Sequence, residues 1–104
     1  MRAVWAELGA AVVAIVTVSI AHAETIAVTI DKIAYGPASV SAHVGDTIVW
    51  TNKDIVAHTA TARDKQWDLM VLPNSTKSVV LKRAGKIDYY CKFHPNMTGV
   101  ISVE

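Results

Sequence analysis

An antiparallel Greek-key β-sandwich is the fold class that this 104-residue sequence predicts, on three observations. Short runs rich in Val, Ile, Thr and aromatic residues recur along the chain after residue 24. Gly, Pro, Asn and Asp clusters separate them at the spacing of tight turns. No stretch after residue 24 repeats apolar residues convincingly at the three- and four-residue intervals of an amphipathic helix.

Each element follows from its residues. Thr25 to Ile30 alternates polar and apolar side chains with period two, the pattern of a half-buried strand. Ile33 to Pro37 has turn chemistry, and Val40 to Val44 is extended again. Gly45-Asp46 is a tight turn into Thr47 to Thr51, a β-branched run around Trp50. Asn52-Lys53-Asp54 opens a loop before a short extended piece, His58 to Thr61. Ala62 to Leu72 is the least regular stretch. Pro73-Asn74-Ser75 turns the chain into a strand over Lys77 to Lys82, and Ala84-Gly85 turns it into Lys86 to Cys91. Thr98 to Val103 closes the domain, and neither an internal repeat nor a low-complexity tract interrupts it.

The N-terminal segment belongs to a different class. Arg2 and the amino terminus give a weakly positive start, Leu8 to Ile20 is mostly apolar, and Ala21-His22-Ala23 is an A-x-A cleavage pattern before Glu24. The apolar run is shorter than the ~20 residues that a membrane span needs. Residues 1–23 are therefore expected to be a secretory signal peptide and residues 24–104 one domain released to the periplasm. Glu7 lies close to the apolar run and leaves an uncleaved anchor as the minority reading. No cysteine stands near the cleavage point, so a lipid-anchored form is not expected. The hydrophobic fraction of 52% is inflated by this segment, and no stable membrane insertion is expected.

The net charge is +1, without the clustered basic stripe that nucleic acid would require. The domain is small, so its core is thin, and a bound metal would contribute usefully to stability. A monomer is the expected state. One cysteine cannot form an internal disulfide in an oxidising compartment, and a free thiol there is a liability. Cys91 must then be buried core, an intermolecular partner or a metal ligand.

Its neighbours favour the metal. Cys91-Lys92-Phe93-His94-Pro95-Asn96-Met97 places His at +3 and Met at +6, and His58 lies upstream at the end of an extended piece. Thiolate, two imidazoles and a thioether are the donor set of a blue-copper site: a trigonal plane of His58, Cys91 and His94 with Met97 as a weak axial ligand. For a chain with four His and three Met, that spacing arises by chance roughly once in a thousand cysteines. The expected cofactor is one copper ion cycling between Cu(I) and Cu(II), the thioether favouring copper over zinc. His43 reads as a solvated strand residue, His22 is lost with the leader, and Met70, Trp50 and Trp67 read as packing residues.

The chain also resembles a known family. Val44 to Asn52 (VGDTIVWTN), the gap from Asn52 to His58, Ala84 to Cys91 (AGKIDYYC) and the short Cys-x-x-His-Pro-x-Met loop are similar to the small cupredoxins, and within them to the amicyanin type. The resemblance spans essentially all of residues 24–104. It implies a cupredoxin-like sandwich, His58, Cys91 and His94 as equatorial ligands, Met97 as axial ligand, and Asn52 tying the two ligand-bearing loops together. The chain departs from that pattern at Lys92, where a small hydroxyl residue is usual, and at Phe93 and Ala57, where prolines are usual.

The function expected is single-electron transfer between periplasmic redox proteins, with no enzymatic activity of its own. The resemblance implies a c-type cytochrome and a periplasmic dehydrogenase or reductase as partners, a quinoprotein amine dehydrogenase being the family's usual donor. Phe93 and Pro95 would frame His94 in an apolar docking patch, and Lys92 would steer an acidic partner. The alternative is a periplasmic copper-binding, delivery or resistance protein, which favours open sites rich in Met and His. A copper enzyme would need a further open metal position, and His43 is the one spare histidine after residue 23.

Overall fold

The computed structural model describes residues 9–16 and 22–104. Most of the expected leader therefore lies outside the described residues, and its described part, residues 9–16 and 22–23, is exposed and without regular structure. Among the described residues there is no helix long and apolar enough to cross a membrane.

Nine strands form the domain: β1 (Thr25–Asp31), β2 (Ala34–Gly36), β3 (Ser39–Ala42), β4 (Thr47–Asn52), β5 (His58–Ala62), β6 (Asp68–Val71), β7 (Thr76–Val80), β8 (Gly85–Tyr90) and β9 (Thr98–Val103). They make a four-stranded sheet, β2-β1-β4-β7, and a five-stranded sheet, β3-β9-β8-β5-β6. The expected all-β sandwich is therefore present, but its sheets are mixed rather than wholly antiparallel. β1 runs parallel to β4, from Thr25 opposite Thr47 to Ile30 opposite Asn52, and β3 runs parallel to β9. Parallel neighbours need a crossover connection. Here the crossover is β3, which leaves the first sheet, borders β9 in the second, and lets the chain return as β4 beside β1.

Alternation explains the buried face. Val28 and Ile30 of β1 and Ile48, Trp50 and Asn52 of β4 point inward and are fully buried. Trp50 meets Tyr89 edge-on at 5.5 Å between ring centroids, and Tyr35 packs on Tyr89 at 4.6 Å. Trp67 joins Trp50 at 6.1 Å, so both tryptophans are packing residues, as expected. Gly99 completes this layer by lacking a side chain, because a Cβ there would overlap the Tyr89 ring.

Two elements differ from expectation. The irregular stretch contains β6, which pairs with β5 from His58 opposite Val71 to Thr61 opposite Asp68. Its residues (Asp-Leu-Met-Val) carry little strand propensity, and backbone pairing to a neighbour supplies what propensity does not. The region around Ile33 also holds a short strand, β2, after a tight turn with positive φ at Lys32 (52°) and Ile33 (57°).

The sheet pins the 91–97 loop at both ends. β8 and β9 pair up to Tyr90 opposite Thr98, and Cys91 N–H then donates to Met97 O at 3.0 Å. β5 pairs with β8 only at Thr61–Tyr90 and Ala62–Tyr89. Beyond those residues the strands part around the Cys91 side chain, and the candidate site occupies that gap.

Candidate metal centre

His58 opens β5 and is fully buried, Cys91 follows β8 and is fully buried, and His94 sits half-buried on the loop between β8 and β9. The fold brings these three together. Cys91 Sγ lies 3.7 Å from His58 Nδ1 and 3.9 Å from His94 Nδ1. All three donor atoms lie within 4.8 Å of one another. Ion-ligand distances of ~2.0 Å to imidazole and ~2.3 Å to thiolate, opened at 120°, separate N from S by about 3.7 Å. The observed spacings match that value, so the donors fit a small ion shared in a plane.

Met97 is buried at the end of the same loop. Its N–H donates to His94 O at 2.8 Å, which folds the loop into a closed turn and keeps Met97 beside His94. His43 is outside the cluster, exposed beside Glu104 with 3.7 Å between Nε2 and Oε2. Met70 is half-exposed on β6 rather than packed within the core.

Hydrogen bonds around the donors determine which atoms face inward. The Asp54 carboxylate accepts three N–H groups: Lys32 N at Oδ1 (2.7 Å), and Ile33 N (3.0 Å) and His58 Nε2 (2.7 Å) at Oδ2. With its proton on Nε2, His58 presents an unprotonated Nδ1 to Cys91 and His94. The Ile33 N–H is the largest influence holding the Asp54 carboxyl below the usual carboxylate range; burial opposes it, and the Lys32 N–H and His58 add smaller lowering effects. Ile33 is β-branched at positive φ, a conformation such residues rarely adopt, and its N–H is aimed at Asp54.

The thiolate position has its own donor. Thr59 N–H points at Cys91 Sγ at 3.3 Å. Lys92 N–H donates to Thr59 Oγ1 at 2.9 Å, so the segment carrying His58 and the loop carrying Cys91 are joined through Thr59. Thr59 and Thr61 hydroxyls are 2.9 Å apart, and Thr61 donates onward to Asp68 Oδ1 at 2.8 Å. Lys92 Nζ binds the other oxygen of Asp68 at 2.6 Å, which closes a circuit from the Lys92 backbone to its ammonium. The expected steering role for Lys92 therefore competes with an internal ion pair.

Asn52 differs from the resemblance in one respect. Its Nδ2 donates to Val56 O (2.8 Å) and Val71 O (3.0 Å), and its Oδ1 accepts Asp54 N–H (2.9 Å). It holds the loop before His58, while Thr59 makes the tie to the Cys91 loop. Lys92 offers no hydroxyl for Asn52 to reach, which accounts for the exchange. Asp54, Thr59, Thr61 and Asp68 are the site residues that sequence reasoning missed. A carboxylate four residues before a candidate histidine is the signal that could have found Asp54.

Two mixed sheets with a His-Cys-His cluster held between the end of one strand and the start of another define a cupredoxin. The chain belongs to the cupredoxin-like domain family, whose model matches residues 4–103. Within the family it is a small blue-copper protein resembling amicyanin. It is 27% identical to amicyanin of Paracoccus versutus over 79% of this chain and 67% of that protein, so it spans two thirds of that relative's length. A solved structure of a reduced amicyanin variant superposes with a TM-score of 0.68 at 31% identity, covering 77% of this chain and 82% of the other. An amicyanin variant solved as Cu(I) gives 0.69 at 29% identity, over 77% and 82% of the two chains.

Proposed function

We propose that this cupredoxin carries single electrons between periplasmic redox proteins, exported by residues 1–23 and acting as a monomer of residues 24–104. His58 Nδ1, Cys91 Sγ and His94 Nδ1 would hold one copper ion, with the Met97 thioether as the weak fourth donor. Copper supplies the electron by alternating between Cu(I) and Cu(II). The protein's own contribution is to keep the donors still: Asp54 fixes the His58 tautomer, Thr59 aims an N–H at the thiolate, and the β8–β9 pairing clamps both ends of the loop. Donors that do not rearrange add little to the barrier of electron transfer. The observation that carries the reading is the spacing of 3.7 and 3.9 Å from one buried thiolate to two imidazole nitrogens.

His94 is the half-buried member of the cluster, bordered by Phe93, which is half-exposed, and by Ile33 and Pro95 in a shallow depression. This apolar rim supports a small, quickly released contact with a c-type cytochrome on one side of the cycle and a periplasmic dehydrogenase or reductase on the other. In this role the protein is a carrier with no enzymatic activity of its own. Voltammetry of the protein loaded with one equivalent of Cu(II) tests the reading. A reversible one-electron wave, with rapid reduction of a ferric c-type cytochrome by the reduced protein, is expected. An irreversible wave, with Cu(I) passing readily to a chelator, would favour copper delivery instead.

A further inference from the structure

At the end of β1 away from its β2 turn, a buried carboxylate has no strong cation. Asp46 is 3% exposed, and both its oxygens are engaged by main-chain N–H groups: Oδ1 by Glu24 (2.8 Å) and Oδ2 by His43 (2.8 Å). Among the described residues its one basic neighbour is the His43 ring, largely exposed, with Nδ1 at 3.9 Å. Burying a carboxylate without a cation is costly, and amide donors compensate only in part. Residue 24 is also held in place, because Thr47 N–H donates to Glu24 O at 2.9 Å where the β1–β4 ladder begins.

We propose that Asp46 is the built-in docking site for the α-ammonium created when the leader is removed. This rests on the reading that cleavage falls between Ala23 and Glu24. Hydrolysis by a signal-peptidase-class protease breaks that C–N bond, water supplying a hydroxyl to the Ala23 carbonyl and a hydrogen to the Glu24 nitrogen. At neutral pH the new amine takes a further proton. The nitrogen already 2.8 Å from Asp46 Oδ1 then becomes a cation in place, and a single amide hydrogen bond becomes an ion pair. The charged groups facing it are Asp46, the Glu24 side chain, His43 and, beyond His43, Glu104. Processing would thus do more than release the domain. It would tie the start of β1 to the β3–β4 connection by an ion pair that the unprocessed chain would lack.

The test uses the full chain, exported by a bacterial host and purified from the periplasm. Intact mass identifies the N-terminus, and competitive acetylation at pH 7 measures the α-amine's reactivity against a Glu-Thr-Ile peptide. Only the unprotonated amine reacts, so an ion pair to Asp46 should slow acetylation about tenfold. Denaturant should restore the peptide rate. Glu24 is exposed, so burial alone does not predict the slowing. Asp46→Asn should abolish it; if that variant does not fold, the comparison of native with denatured protein still decides. An N-terminus at Glu24 that reacts at the peptide rate overturns the docking while the cleavage reading stands. An N-terminus elsewhere overturns both.

Discussion

Asp54→Asn removes one charge and almost no volume, and the hydrogen bonds show why it should matter. Three N–H donors converge on two carboxylate oxygens. An amide has one oxygen and one NH₂. With its oxygen toward Ile33 and His58, the NH₂ faces the Lys32 N–H, donor against donor. Flipped, it serves Lys32 and sets the NH₂ against Ile33 N–H and His58 Nε2, which forces His58 into the tautomer with its proton on Nδ1. Either way a donor loses its partner, a cost of about 1–3 kcal/mol. With a urea m-value of ~1–2 kcal/mol/M for a domain this small, the midpoint of the metal-free protein should fall by about 1 M. Copper affinity should fall about 10- to 100-fold, the usual consequence of losing a partner that orients a ligand. The lost charge stands roughly one imidazole ring from the donor cluster, about 6.5 Å from a unit charge there. Coulomb energies at that distance run from ~0.6 kcal/mol at a dielectric of 80 to ~2.5 kcal/mol at 20. For one electron this is a rise of about 30–110 mV in reduction potential. Urea unfolding, a copper competition titration and voltammetry measure the three effects. An unchanged unfolding midpoint together with an unmoved potential would refute the assignment of Asp54 as the His58 positioning residue.

Three further outcomes are expected. Gly99→Ala would set a methyl against the buried Tyr89 ring, which Tyr35 and Trp50 hold in place; it should cost about 1–3 kcal/mol by urea unfolding, and a neutral result would contradict the packing. Acid should destabilise the metal-free protein. Main-chain N–H groups of Glu24 and then His43 hold Asp46 below its usual carboxylate range, and the Lys92 ammonium and then Thr61 do the same for Asp68. Their folded values are depressed, so their stabilisation is present above the unfolded value of ~3.9 and is lost as pH falls through the folded values. The melting temperature should drop below about pH 4, and a rise on acidification would reverse the sign. Phe93→Glu should slow electron transfer to a c-type cytochrome about 3- to 10-fold at low salt, without altering the copper spectrum. An unaltered rate would remove Phe93 from the docking face.

The legible parts of the fold were those whose side chains carry the period of their structure. β1, β4 and β9 alternate or are rich in β-branched residues, and each lies within a residue or so of its expected bounds. β6 was not legible, because Asp68, Leu69 and Met70 fit a strand only through pairing to β5. The parallel pairs were hidden for a related reason: direction is decided by which sheet β3 joins, and β3's four residues do not state it. At the site, the intervals from Cys91 to His94 and Met97 and the position of His58 after Asn52 named the candidate donors, and the fold brought His58 to Cys91 from 33 residues away. Thr59 and Asp68 stayed silent, since a threonine or aspartate becomes a partner only when strand register brings a donor to it. Asp54 was partly legible, four residues before His58, but the turn at Lys32 and Ile33 that shares its carboxylate was not.

The most direct measurement is an absorption and EPR spectrum of residues 24–104 after one equivalent of Cu(II), beside the same spectrum for Cys91→Ser. An intense visible thiolate-to-copper band with a narrow copper hyperfine splitting, abolished in the variant, is the predicted result. A colourless product, or a band that survives Cys91→Ser, would contradict a blue-copper centre built on this cluster.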